Sequence, residues 1–244
     1  MTRRYTARAA VSAECGSDGR TRLTRLRSDG PLAVRETAEA VYLVGAAAGP
    51  LGGDDLELVL DVGPGARLAI RSAATTLALP GDGESRFTVR ARVAAGGHLD
   101  FAPEPTVAAA GCHHRAQADI TLTAGATLRW FEELVLGRHG ERSGRHTSRY
   151  DVTVDGVPLL RHELRLDDPR VYRSRAVLGD AKAAGSVLLA GPDLVREPVA
   201  EDGLVVLPLA GPGVLVSATA ADSTSLRRLL RRGEHHAVPA VIAG

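Results

Sequence analysis

The sequence predicts an all-β protein, mainly antiparallel and arranged as a sandwich or an open β-solid, with a short C-terminal helix. Several segments alternate apolar and polar residues with a period of two, which is the period of a half-buried strand. Turns rich in glycine and proline separate these segments at regular spacing. The composition has 44% hydrophobic but only 3% aromatic residues, which favours a core of Val, Leu and Ala packed from strands.

Length and charge limit the class of protein. A single domain over residues 1–244 is expected, because all-β domains run to roughly 200–250 residues. The formal net charge of +1 gives no field that would attract nucleic acid or an anionic membrane. The chain has only two cysteines, Cys15 and Cys112, and its N-terminus lacks the apolar core of a signal peptide. We therefore expect a cytoplasmic protein without a disulfide framework.

One uncharged stretch, residues 203–221, is long enough to suggest a membrane span. Pro208 and the Gly-Pro-Gly sequence at 211–213 would break a helix in its middle. A buried hairpin is predicted instead, and no membrane partner is expected.

The first half of the chain is predicted to consist of short strands joined by turns. A strand is expected at residues 41–44, and alternation predicts further strands at 56–62, 68–70 and 86–93. The glycine-rich residues 45–53 contain no GxxxxGK[ST] pattern, and no helix-period segment follows them. These glycines therefore indicate turns rather than a phosphate-binding loop.

The most informative stretch runs from Gly97 to Arg138. Residues 116–122 alternate in polarity, residues 124–126 have a turn composition, and a second strand begins at Leu128. This pattern predicts a β-hairpin. Residues 139–148, rich in Gly, Ser, Arg and His, are predicted to form an exposed loop.

The remaining chain contains a second predicted hairpin and the helix. Asp155-Gly156, a dipeptide typical of type I′ turns, separates alternating strands at 150–154 and 160–166. Near the end, leucines at 226, 229 and 230 fall at i, i+3 and i+4, which predicts one amphipathic helix. No internal repeat of fixed period is found.

Four segments carry a resemblance to a known family. They are 49–55 (GPLGGDD), 71–76 (RSAATT), 99–105 (LDFAPEP) and 136–141 (LGRHGE). Taken together and in order, these segments resemble the urease accessory proteins of the UreD family, called UreH in some bacteria. The segment at 106–108 departs from the family pattern, which usually has an Ile-Pro-Phe run there, and the C-terminal third resembles the family only loosely.

The resemblance implies a non-catalytic function. Proteins of this family help to deliver nickel to apo-urease, so the chain is expected to be a scaffold that binds apo-urease and the accessory partners UreF and UreG. The GTPase UreG would then hand over nickel. No tightly bound cofactor is expected, since nickel would be handled by the complex. The absence of a G-x-S-x-G elbow from the sequence agrees with a protein that is not an enzyme.

Cys112-His113-His114 is the nearest sequence to a metal site, because thiolate and imidazole bind nickel and zinc. Adjacent residues of an extended chain point to opposite faces, so His113 and His114 are weak candidates for a shared ion. An alternative function is a cupin-like metal-dependent enzyme that uses His113 with Glu132. Cupins usually place a Glu a few residues after an H-x-H pair, whereas here the histidines are adjacent and the next Glu is distant, so the scaffold is favoured.

Glu132 has the strand parity of Leu128, Trp130 and Leu134, so an unbroken strand would point this carboxylate into an apolar face. Burying an unpaired carboxylate costs several kcal/mol. Two hypotheses follow. A β-bulge at Glu132 would turn it outward. Alternatively, Glu132, together with Arg138, lines a polar passage through the protein, as would suit a scaffold between a nickel donor and apo-urease.

Overall fold

In the computed structural model, residues 4–45, 49–195 and 197–237 are described. They form two β-sheets, a four-residue helix α1 (Pro169–Tyr172) and a longer helix α2 (Ser223–Ala237). The all-β class with a short C-terminal helix is confirmed. In chain order the strands are β1 (Thr6–Cys15), β2 (Thr21–Arg27), β3 (Leu32–Glu36), β4 (Val41–Gly45), β5 (Asp55–Val62), β6 (Arg67–Ser72), β7 (Thr76–Ala78), β8 (Ser85–Val93), β9 (His98–Phe101), β10 (Thr106–Ala108), β11 (His113–Leu122), β12 (Thr127–Val135), β13 (Arg145–Val154), β14 (Val157–Leu166), β15 (Ala183–Ala190), β16 (Val199–Glu201), β17 (Leu204–Pro208) and β18 (Gly213–Ala220).

The chain passes back and forth between the two sheets. The first sheet has the order β14-β13-β11-β8-β5-β1-β2, and the second has β16-β17-β18-β15-β12-β9-β6-β4-β3, with β10 and β7 paired beside β12. Strands β5, β8 and β11 of the first sheet are each followed by a strand of the second. The main core lies between the inner faces of the two sheets.

The expectation of a mainly antiparallel structure is wrong for the centre of the molecule. There β5, β8, β11 and β13 pair in parallel, as do β6, β9 and β12. Antiparallel pairs lie towards the ends of the sheets, for example β1 with β2 and β15 with β18. The hairpin predicted from residues 116–122 and Leu128 is also wrong, because the turn between them carries the chain from one sheet to the other.

The turns between the sheets repeat. Gly65, Gly96 and Gly125 have φ values of 67°, 69° and 79°, a left-handed conformation that favours glycine. Each lies three residues before a leucine, and these leucines are partners in the parallel second sheet: Leu68, Leu99 and Leu128. The structure therefore contains a repeat of about 30 residues that the sequence analysis missed.

Other local predictions are confirmed. β13 and β14 form an antiparallel hairpin through Asp155 and Gly156, whose φ values of 47° and 78° fit a type I′ turn. β17 and β18 form the predicted hairpin within residues 203–221. None of the helices in the described ranges is long and apolar enough to cross a membrane.

The helix α2 packs on the outer face of the second sheet. Leu226 and Leu230 are fully buried, and they pack with residues of β15, β17 and β18. At Gly233 a Cβ atom would lie 2.4 Å from Val216 Cγ1, so glycine permits the close approach of helix and sheet. The Asp222 side chain begins the helix by accepting a 2.8 Å hydrogen bond from the Ser225 backbone N–H.

Candidate functional site

A cavity of about 690 Å³ lies between the two sheets and is lined by both. Most of its lining is apolar, as expected for the interior of a β-sandwich. Polar side chains nevertheless reach it from β11, β12, β13 and β15. They include His114, Glu132, His146, Ser148 and Ser186.

Glu132 points into this cavity because β12 is unbroken. The register of β12 with β15 runs continuously through the pair Glu132 and Ser186, so the bulge hypothesis is wrong. The Trp130 indole N–H donates to one carboxylate oxygen at 2.9 Å, and the Ser148 hydroxyl donates to the other at 2.5 Å. Burial raises the pKa of Glu132, and the two hydrogen bonds oppose that rise only in part.

The second sheet is interrupted beside Glu132. β9 ends at Phe101 and β10 begins at Thr106, so β12 pairs with them only before and after residues 131–133. The intervening residues include Pro103 and Pro105, which have no N–H to donate to a ladder. Pro103 lines the cavity, so the cavity reaches the sheet at this interruption.

His114 and His146 are neighbours on the parallel strands β11 and β13, and their ring centroids are 5.5 Å apart. The Ser85 hydroxyl lies 2.8 Å from His114 Nδ1, whereas His146 Nδ1 is buried without a hydrogen-bond partner among the described residues. Burial lowers the pKa of His114 to about 4 and that of His146 to about 3. Both imidazoles are therefore neutral near pH 7.

The candidate ligands of the Cys-His-His sequence do not converge. His113 lies 3.2 Å from Glu84 Oε2 on the outer side of the sheet, while His114 is buried. Burial raises the pKa of Cys112 to about 11, so it is a thiol rather than a thiolate. Within the described ranges, no group of three or more His, Cys, Asp and Glu side chains is placed to hold a metal ion. The cupin-like pair of His113 with Glu132 is not brought together.

Arg138, the second predicted passage residue, is exposed and does not line the cavity. It forms an ion pair with Glu141, three residues later in the same loop. His146 and Ser148 were not predicted to be buried, because residues 139–148 were predicted to form an exposed loop. In the structure, β13 begins at Arg145, where it pairs in parallel with β11. The inward residues at this end of β13 are polar, so the sequence shows no apolar alternation that would predict a strand here.

Glu133 points to the opposite face of β12 from Glu132. Its side chain is fully buried and forms a 2.6 Å ion pair with Arg227 of α2. It also accepts a hydrogen bond from Ser223 at the start of that helix. Arg227 pairs in addition with Glu104, at 2.7 Å. Glu133 is therefore an anchor for α2.

We expect the buried histidines to make the fold sensitive to acid. An unfolded histidine has a pKa of about 6.5, so below that pH the unfolded state binds protons that folded His146 does not bind. The free energy of unfolding should fall as the pH falls from about 6.5 towards about 3. In the variant His146→Leu, the free energy of unfolding should decrease less over this pH range. Urea unfolding measured at several pH values checks this, and equal pH dependence in both proteins would contradict it.

The chain is similar to known proteins over most of its length. The family model described as UreD urease accessory protein matches residues 5–243. A protein named urease accessory protein UreD from Frankia casuarinae is 44% identical, over 93% of this chain and 88% of its own length. Proteins of the same name from Parafrankia sp. and Streptomyces coelicolor are 45% and 43% identical, each over 92% of this chain and over 86% and 93% of their own lengths.

Proposed function

The chain belongs to the UreD family of urease accessory proteins, and from this we propose that it is a non-catalytic scaffold that links apo-urease to UreF and UreG. It would act in the cytoplasm during nickel insertion, with nickel as the cargo of the complex rather than as a resident cofactor. The observation that carries the proposal is the family match from residue 5 to residue 243. A match of that extent includes both sheets and the helix α2.

The Ser85 hydroxyl, which lies 2.8 Å from His114 Nδ1, is not accessible as a catalytic nucleophile. Ser85 is 0% exposed and does not line the cavity, so a substrate could not reach it. A nucleophile must contact the reacting atom of its substrate.

The cavity suggests how the scaffold would handle its cargo. As part of the proposal, Glu132 lines a polar passage in which a carboxylate and neutral imidazoles could contact a divalent ion in transit. Imidazole and carboxylate are suitable ligands for nickel, and a site with few protein ligands releases an ion more readily than a closed site. Glu132, His114 and His146 all line the cavity, which agrees with this idea.

Co-purification tests the scaffold. Expressed with the urease subunits, UreF and UreG, the tagged protein should co-purify with UreF and urease. A strain that lacks it should make urease with little nickel when nickel is limiting. Fully nickel-loaded urease in that strain, or no association in the co-expression, would contradict the proposal.

A further inference from the structure

The exposed face of α2 carries only basic or small polar side chains. Its apolar face is already covered by the second sheet, through Leu226 and Leu230. Arg228, Arg231 and His235 occur at i, i+3 and i+7, so they lie in one line along the helix. This line is about 10 Å long. We call these three residues the basic stripe; Arg232 and His236 are exposed beside it.

The flanks of the helix are neutralised by ion pairs, but the basic stripe is not. On the flanks, Arg232 pairs with Glu201 at 2.5 Å and Glu234 accepts a 3.0 Å hydrogen bond from Arg129. Among the described residues, neither Arg228 nor Arg231 has a carboxylate within ion-pair distance. The pKa of Asp222 is lowered chiefly by its hydrogen bonds with Ser225 and to a smaller extent by Arg228, but this carboxylate lies beyond ion-pair distance from Arg228. The residues outside the described ranges contain no Asp or Glu.

The stripe is also held rigidly. Arg227 is fixed by Glu133 and Glu104, and the Asp222 carboxylate at the helix start accepts two hydrogen bonds from Ser225. A helix fixed in this way presents its guanidinium groups without ordering of the backbone on binding. The planar guanidinium matches the geometry of a carboxylate in a bidentate pair.

We propose that the basic stripe of α2 is a docking surface for an acidic segment of a partner protein, with carboxylates spaced to meet Arg228 and Arg231. This inference rests on the proposed scaffold function, because it assigns a contact surface to one of its partners. A membrane is disfavoured because the apolar face of α2 is buried and cannot insert. A nucleic acid is disfavoured because the formal net charge of the chain is only +1, which gives little attraction for a long phosphate backbone.

Peptide binding tests the charge recognition. The probe is a fluorescein-labelled helical peptide with glutamates at i, i+3 and i+7, compared with the same peptide carrying glutamines. The glutamate peptide should bind the full chain, and its affinity should fall as the salt concentration rises. The glutamine peptide should not bind. The double variant R228E/R231E should weaken glutamate-peptide binding by about tenfold or more, because repulsion replaces attraction.

The matched control is R25E/R27E, which reverses two exposed arginines of the edge strand β2 that also have no ion-pair partner among the described residues. This control should bind the glutamate peptide within about twofold of the wild type, since surface charges away from the contact have small effects. Equal loss in both variants, or binding of the glutamine peptide, would overturn the proposal. Tighter binding of duplex DNA or of phosphatidylserine vesicles at physiological salt would also overturn it.

Co-purification separates this inference from the scaffold itself. R228E/R231E should lose one partner from the complex of urease, UreF and UreG, while its melting temperature stays near that of the wild type. If the variant retains every partner at wild-type yield, the docking surface is wrong and the scaffold stands. If the wild-type protein retains no partner, the scaffold function fails, and so does the inference that rests on it.

Discussion

Replacing Trp130 with alanine should destabilise the protein by about 3–5 kcal/mol, the usual cost of removing a large buried aromatic side chain. Trp130 is 1% exposed, and its ring stacks on Phe101 with the centroids 4.0 Å apart. It lies in the core between the sheets, where its truncation would leave a cavity that the rigid parallel strands cannot close. The melting temperature should fall by roughly 2–4 °C for each kcal/mol.

Thermal unfolding followed by circular dichroism measures this effect. The control is Val157→Ala, because Val157 is 67% exposed at the first position of β14 and its replacement should change stability by no more than about 0.5 kcal/mol. A third variant, Trp130→Phe, keeps most of the ring packing but removes the N–H that donates to Glu132. Its melting temperature should lie between those of the other two variants. Equal melting temperatures for Trp130→Ala and Val157→Ala would show that Trp130 is not part of the core.

Replacing Glu132 with glutamine should leave the fold and the complex intact while reducing urease activation about tenfold or more, as for the loss of a group that contacts a metal ion. Glutamine keeps the size of the side chain and an oxygen to accept the hydrogen bond from Trp130. It removes the carboxylate group that would bind a divalent ion inside the cavity. Urease activity and bound nickel, measured at limiting nickel, test this expectation.

The neighbouring variant Glu133→Gln is the matched comparison, because it changes the same chemical group on the opposite face of β12. The structure predicts a loss of about 1–3 kcal/mol in stability, since the buried ion pair with Arg227 is broken while Arg227 keeps Glu104. Activation should stay near wild type at temperatures where the variant is folded. Wild-type activation by both variants would remove Glu132 from any function in nickel delivery.

The sequence by itself determined many of the strands and which side of those strands is buried. Alternation of polarity reports burial residue by residue, so it located β8. The inward direction of Glu132 was one of two hypotheses, and the continuous register of β12 decided it. Local turn chemistry determined the hairpin at Asp155-Gly156, and leucine spacing determined α2. These features depend on interactions over a few residues, which a single sequence displays directly.

The tertiary structure alone decided which strands are partners and in which direction they run. A period of two identifies the buried face of a strand but not its neighbour, so two strands in different sheets looked like a hairpin. The repeating turns at Gly65, Gly96 and Gly125 were the available sequence signal for the parallel strands that alternate between the two sheets. The pairing of His114 with His146, and the ion pair of Glu133 with Arg227, join residues far apart in the chain. Such contacts exist only once the two sheets have formed, because the packing of the whole chain brings those side chains together.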